Sequence, residues 1–193
     1  MRNELKVKSD LGDIEATYLL GKKLRFKPDA SEKKLGYALL DKAALRGHEA
    51  SIYLLAQHYR DKDLKKTASY LELSTKSPKS AYALAELYFR EFKTFPDIPE
   101  ETIMAHYKRS AEGSWARGQY GLAERLKDGT MTERDEIGAL KWALISNHTR
   151  RGELSVVDER GIERFVTGLT QAQLDAAQKQ AEQWVKSNPK GSP

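Results

Sequence analysis

The chain of 193 residues contains no cysteine, and that absence removes several chemistries together. Disulfides, thiol nucleophiles and thiolate metal sites are all excluded. Long apolar runs are missing too. The longest span only a few residues, so no segment can cross a bilayer as a helix. The first residues, MRNELKVKSDLGD, carry charges throughout and lack the apolar stretch of a secretion signal. The compartment stays open: a cytoplasmic protein and a periplasmic one whose leader has been removed would read alike.

Catalytic and metal motifs are also lacking. The four histidines, His48, His58, His106 and His148, include no pair at the helical i, i+3 or i, i+4 spacing, and HExxH does not occur. There is no GxSxG nucleophile turn and no phosphate loop. Gly118 and Gly121, in RGQYGLAERL, fall on one helix face and read as close-packing positions. The acidic pairs Glu100-Glu101 and Asp135-Glu136 open expected helices, where the macrodipole favours anions, so capping explains them. The reading is a non-enzymatic chain with no metal and no cofactor.

What the chain does have is charge and helical periodicity. Hydrophobic residues make up 39% and charged residues 32%, the balance of a folded globular protein. The net charge of +5 is placed unevenly. Residues 1–66 hold 15 Lys/Arg against 10 Asp/Glu, whereas residues 67–193 hold 18 of each. Within the first third, GKKLRFKPDASEKK (21–34) carries six basic and two acidic residues, either a solvated loop or a contact patch for an acidic partner. The basic residues are not interleaved with aromatics and no nucleic-acid-binding signature is present, so nucleic acid is not the expected partner.

The stretch LLDKAALRGHEASIYLLAQHY (39–59) shows the organising pattern. Apolar residues recur at three- and four-residue steps through Leu39, Leu40, Ala43 and Ala44, stop at Gly47, and resume through Ile52, Leu55, Ala56 and Tyr59. That is helix, tight turn, helix, with glycine supplying a left-handed cap. A leucine followed by a small residue recurs as Leu20-Gly21, Leu55-Ala56, Leu84-Ala85 and Leu122-Ala123, at separations of 35, 29 and 38 residues. Turn signals precede each at Gly12-Asp13, Gly47-His48, Ser77-Pro78 and Gly113-Ser114, and second apolar segments follow near 33–46, 64–76, 100–112 and 135–147. Small residues are needed because packed helix axes lie about 8–10 Å apart and the tightest crossings admit only Gly or Ala.

This pattern resembles the Sel1-like repeat, a relative of the tetratricopeptide repeat. GDIEATYLLG (12–21) resembles its first half, GYALLDKAALRG (36–47) its second half, and DGTMTERDEIGALKWA (128–143) both loop and second helix. GLTQAQLDAAQKQAEQWV (168–185) resembles the family's closing helix, and by itself shows a Thr170/Gln173 capping box and a Leu174, Ala177, Ala181, Trp184 stripe. Departures fall in the middle. The second repeat has a short RDKD loop and no alanine pair, the third an extended EFKTFPDIPE loop, and Gly113 stands one position out of register.

The expected architecture is an all-α, right-handed α-solenoid of four antiparallel hairpins occupying residues 1–185. Its repeats are 12–47, 48–77, 78–113 and 114–149, with capping helices over 150–185 and a flexible tail at 186–193. His48 is expected to be solvated, Trp142 and Trp184 to be core, and Phe92 and Phe95 to fold back onto their hairpin. Helical phase places Lys22, Lys23, Gln57, His58, Glu86, Arg90, Glu124 and Arg125 on the groove opposite the packing leucines. The resemblance implies a bacterial protein–protein interaction module, an adaptor or regulator whose partner carries an acidic element. It equally implies an alternative, an immunity protein that neutralises a secreted toxin or effector by binding it. A hydrolase of the β-lactam type is the weaker alternative, because the cysteine-rich relatives linked to that chemistry have paired cysteines and this chain has none.

Overall fold

Aspartates start many of the helices and left-handed residues stop them. A computed structural model describes residues 2–151 and 161–189 and shows helices without strands among them. The helices are α1 (Arg2–Asp10), α2 (Ile14–Leu24), α3 (Ala30–Leu45), α4 (Glu49–Tyr59), α5 (Leu64–Glu72), α6 (Pro78–Arg90), α7 (Glu100–Glu112), α8 (Ala116–Asp128), α9 (Glu136–Arg151), α10 (Glu163–Val166) and α11 (Gln171–Ser187). The all-α architecture of successive hairpins is therefore observed. Contacts divide the chain into two compact units, Met1–Ser80 and Ala81–Pro193.

In the first unit, Asp13, Asp29 and Asp63 each accept a hydrogen bond from the backbone amide three residues on and so start α2, α3 and α5. The α3-to-α4 turn closes with the His48 amide donating to the Ala43 carbonyl, and Gly47 takes φ +78°. The same bond recurs one repeat earlier, from the Asp13 amide to the Lys8 carbonyl across Gly12 at φ +92°. That earlier turn has a helix before it: the N-terminal residues, which carried no helical expectation, form α1. Its exposed face is laced by Lys6–Asp10 at 2.7 Å and Lys8–Glu4 at 3.1 Å, and its inner face sets Ser9 Oγ 2.9 Å from Thr17 Oγ1 of α2.

The α2–α3 crossing is close. A Cβ on Gly36 would stand 2.5 Å from the Arg25 amide nitrogen, and one on Gly21 would stand 2.8 Å from the Gly36 carbonyl oxygen. Leu20, Leu24, Leu40, Ala43, Ala44, Ile52, Leu55 and Ala56 fill the buried seam below.

In the second unit α7, α8 and α9 pack in series, with α10 and α11 against α9. Leu84, Ala85, Leu122 and Ala123 are buried here as their counterparts are in the first unit. The α7-to-α8 turn repeats the same closure, the Trp115 amide donating to the Ser110 carbonyl. The left-handed residue is Ser114 at φ +60°, however, while Gly113 sits at φ −74°. The one-position offset of Gly113 is thus a real shift, and a serine occupies the conformation glycine would favour. Trp142 is 9% exposed, and Trp184 meets it edge-on at 5.5 Å. Phe95 folds back onto Tyr88 at 5.0 Å, but Phe92 remains 62% exposed, against expectation. Of the capping helices expected over 150–185, α10 and α11 are described, while residues 152–160 lie outside the described residues. At the other end α11 continues through Lys186 and Ser187, and residues 190–193 lie outside the described residues.

Candidate functional site

The candidate groove lies in the first unit and has a volume of about 570 Å³. One wall is α2 with its cap, contributing Tyr18, Lys22 and Arg25. The floor is α4, whose Glu49, Tyr53 and Gln57 form one row at four-residue steps and Ala50, Leu54 and His58 the row beside it, the signature of one helix face. Ser77 and Lys79, at the start of α6, close the other side.

His48 positions the floor, and it is not solvated as expected. As N-cap of α4, its Nδ1 accepts from the Ser51 amide at 3.2 Å while Nε2 lies 3.0 Å from Glu15 Oε2. The ring leans on Tyr18, centroids 4.5 Å apart, so α2 and α4 are tied through it. The side chain keeps only 16% of its surface. Sequence reading places a residue after a glycine turn in solvent; the cap and the neighbouring repeat's carboxylate draw it inward instead.

The groove is cationic. The Lys22 ammonium stands 5.5 Å from the Tyr18 ring centre and the Lys79 ammonium 3.9 Å from that of Tyr53, both as cation–π contacts. Arg25 lays its guanidinium over the exposed Phe26 ring at 4.0 Å, and its Nε is buried with no hydrogen-bond partner. Glu49 is the one carboxylate in the lining, and both of its oxygens are engaged, by Ser74 Oγ at 2.6 Å and by the Lys76 amide at 3.1 Å. His58 has the Tyr37 hydroxyl 2.9 Å from Nδ1 and Lys62 Nζ 3.5 Å from Nε2. Burial first, then the charges of Lys62, Arg25, Lys33 and Lys66, hold its imidazolium below the ordinary histidine range. Among the described residues no group of three His, Asp or Glu could hold a metal ion.

Of the residues expected on the groove, the structure brings Lys22, Gln57 and His58 together. Lys23 is exposed on α2 outside that lining. Glu86, Arg90, Glu124 and Arg125 belong to the second unit, where they are engaged with one another and with their surroundings. Glu86 accepts from the Tyr107 hydroxyl at 2.7 Å and pairs with Arg90 at 2.7 Å. Arg125 stacks on Phe89 at 4.1 Å and lies 3.9 Å from Glu124, which also takes Arg164 at 2.8 Å.

Sequence reading missed Tyr18, Arg25, Tyr53 and Lys79. A signal existed for the tyrosines: Tyr18, Tyr53, Tyr82 and Tyr120 each stand two residues before a packing leucine. On a helix that offset turns the ring about 200° from the leucine, toward the opposite face. All four are half-buried.

No family model matches the chain, and no curated protein matches it. Among solved structures it is similar to a protective antigen present in uropathogenic Escherichia coli strains that displays an SLR fold, at 17% identity and a TM-score of 0.47, covering 100% of this chain and 52% of that one. It is also similar to a Sel1 repeat protein from Oxalobacter formigenes, at 15% identity and a TM-score of 0.42, covering 95% of this chain and 64% of that one. The chain thus spans less than two thirds of the length of either structure.

Proposed function

We propose that the chain is a non-catalytic protein-binding module and that the groove across α2, α4 and the start of α6 receives a segment of a partner protein carrying an acidic element. One observation carries the reading. Lys22, Arg25 and Lys79 line a concavity whose single carboxylate, Glu49, is already satisfied by the chain's own donors. The half-buried Tyr18 and Tyr53 beside these cations supply apolar contact at little entropic cost, and the cations set orientation and encounter rate. The role is that of an adaptor or regulator.

The test compares wild-type protein with Lys22→Glu/Lys79→Glu, both immobilised and incubated with native lysate. A polypeptide retained by the wild type and lost by the variant, at unchanged helicity, supports the reading. Its retention should weaken as salt rises above about 0.15 M, where the screening length is near 8 Å. Equal retention by both proteins removes the groove as the binding face. Inhibition of a captured secreted enzyme would assign the immunity role, and capture without inhibition the adaptor role.

A further inference from the structure

One end of the groove gathers more positive charge than helix stability accounts for. Arg25, His58 and Lys22 all line it. Lys62 follows the C-terminus of α4, where a cation suits the helix dipole. Lys33 does not fit that explanation, since it lies in the first turn of α3, where the same dipole opposes a cation; Lys66, in the first turn of α5, rests on the Tyr59 ring at 4.1 Å and feels Asp41 and Asp63. All four of the charges acting most strongly on His58 are positive. Among the described residues Arg25 makes no ion pair, and its guanidinium rests on the Phe26 ring at 4.0 Å. The nearest polar neighbours of the imidazole are the Tyr37 hydroxyl of α3 and Lys62, with the Tyr59 ring edge-on at 4.9 Å.

We propose that this end of the groove is an oxyanion subsite, built by Arg25, His58 and Lys22, that takes the phosphoryl group of a phosphorylated side chain on the partner segment. A phosphoryl group concentrates nearly two charges and three acceptor oxygens on one centre. A carboxylate brings one charge and two oxygens, fewer than Arg25, His58 and Lys22 together can engage. The planar guanidinium of Arg25, which lines the groove, suits phosphate geometry because it can present two parallel donors. His58 completes the subsite conditionally. Burial and the cations around it lower its proton affinity, and a dianion beside it would oppose that shift, so that the ring gains proton affinity on binding.

The inference rests on the groove being the binding face, and its test uses a defined probe so that the two can fail separately. The probe is the capped peptide Glu-Glu-phosphoSer-Glu-Glu, compared with its serine and glutamate counterparts by calorimetry and by the ring signals of His58 in NMR. The phosphopeptide should bind at least about tenfold more tightly than the glutamate form, the scale of one charge-assisted hydrogen bond. It should raise the His58 titration midpoint by about one pH unit. Arg25→Gln should abolish that preference, weakening the phosphopeptide at least about tenfold more than it weakens the glutamate and serine peptides at unchanged helicity, and Lys22→Gln should reduce it in part. Equal affinity for the phosphoserine and glutamate peptides, absence of binding by either, or a preference that survives Arg25→Gln would each overturn the subsite. If the phosphate preference is absent while Lys22→Glu/Lys79→Glu still releases a lysate partner, only the subsite falls; if the preference holds and no partner depends on the groove, only the broader reading falls.

Discussion

Replacing Gly36 by alanine would put a methyl carbon 2.5 Å from the Arg25 amide nitrogen, 2.8 Å from the Leu24 carbonyl carbon and 3.0 Å from the Arg25 Cα. All three atoms are backbone, so no side chain can swing aside, and α3 must move away from α2 by roughly 1 Å to restore ordinary contact. Overpacking of this kind costs about 1–3 kcal/mol, and the rigid neighbours place it at the upper end. Alanine returns about 1 kcal/mol of helix propensity. The net expectation is a loss of about 2 kcal/mol. Gly47→Ala is the control. That glycine has nothing within 4 Å of a Cβ but sits at φ +78°, so only backbone strain is added, about 1 kcal/mol. Urea unfolding followed by circular dichroism measures both, with the slope of the transition unchanged. Gly36→Ala should lower the midpoint more than Gly47→Ala does. A Gly36→Ala protein as stable as the wild type would refute the close crossing of α2 and α3.

Two further outcomes follow from the same geometry. Ser114→Gly should raise stability by up to about 1 kcal/mol, because serine occupies a left-handed conformation at φ +60° that glycine adopts freely; an unchanged or lower midpoint in the same urea assay would argue against that turn. Burial first, aided by the Asp41 and Glu86 carboxylates that accept from their hydroxyls, pushes the Tyr70 and Tyr107 phenols well above the ordinary tyrosine range. Folded values above the unfolded one mean that this stabilisation is complete below about pH 10 and is lost as pH climbs beyond it. In an absorbance titration of the nine tyrosines, these two should ionise only together with the loss of helicity; their ionisation in the folded protein would contradict the burial.

The repeated hairpins were legible because their cause is local. Leu20, Leu55, Leu84 and Leu122, each with a small neighbour, must face the seam wherever a 3.6-residue period runs, and Asp13 and Thr170 announce helix starts by their own side chains. The charge excess of the first third was likewise visible without coordinates, and it pointed to the unit that holds the groove. Helical phase was enough to place Lys22, Gln57 and His58 on one surface.

Phase along one helix says which way a side chain points, but not what a neighbouring helix puts in front of it. Glu86, Glu124 and Arg125 have the right phase, yet Tyr107, Arg164 and Phe89 from other segments engage them. His48 caps α4 through the nearby Ser51 amide, but it is drawn out of solvent because Glu15 and Tyr18 of α2 meet it, a separation of some thirty residues that no local pattern encodes. Composition and period thus decided the helices, their order and the sign of the first unit's charge. Packing alone decided which charges were left without a partner, since an ion pair depends on distances of a few ångströms between segments far apart in the chain.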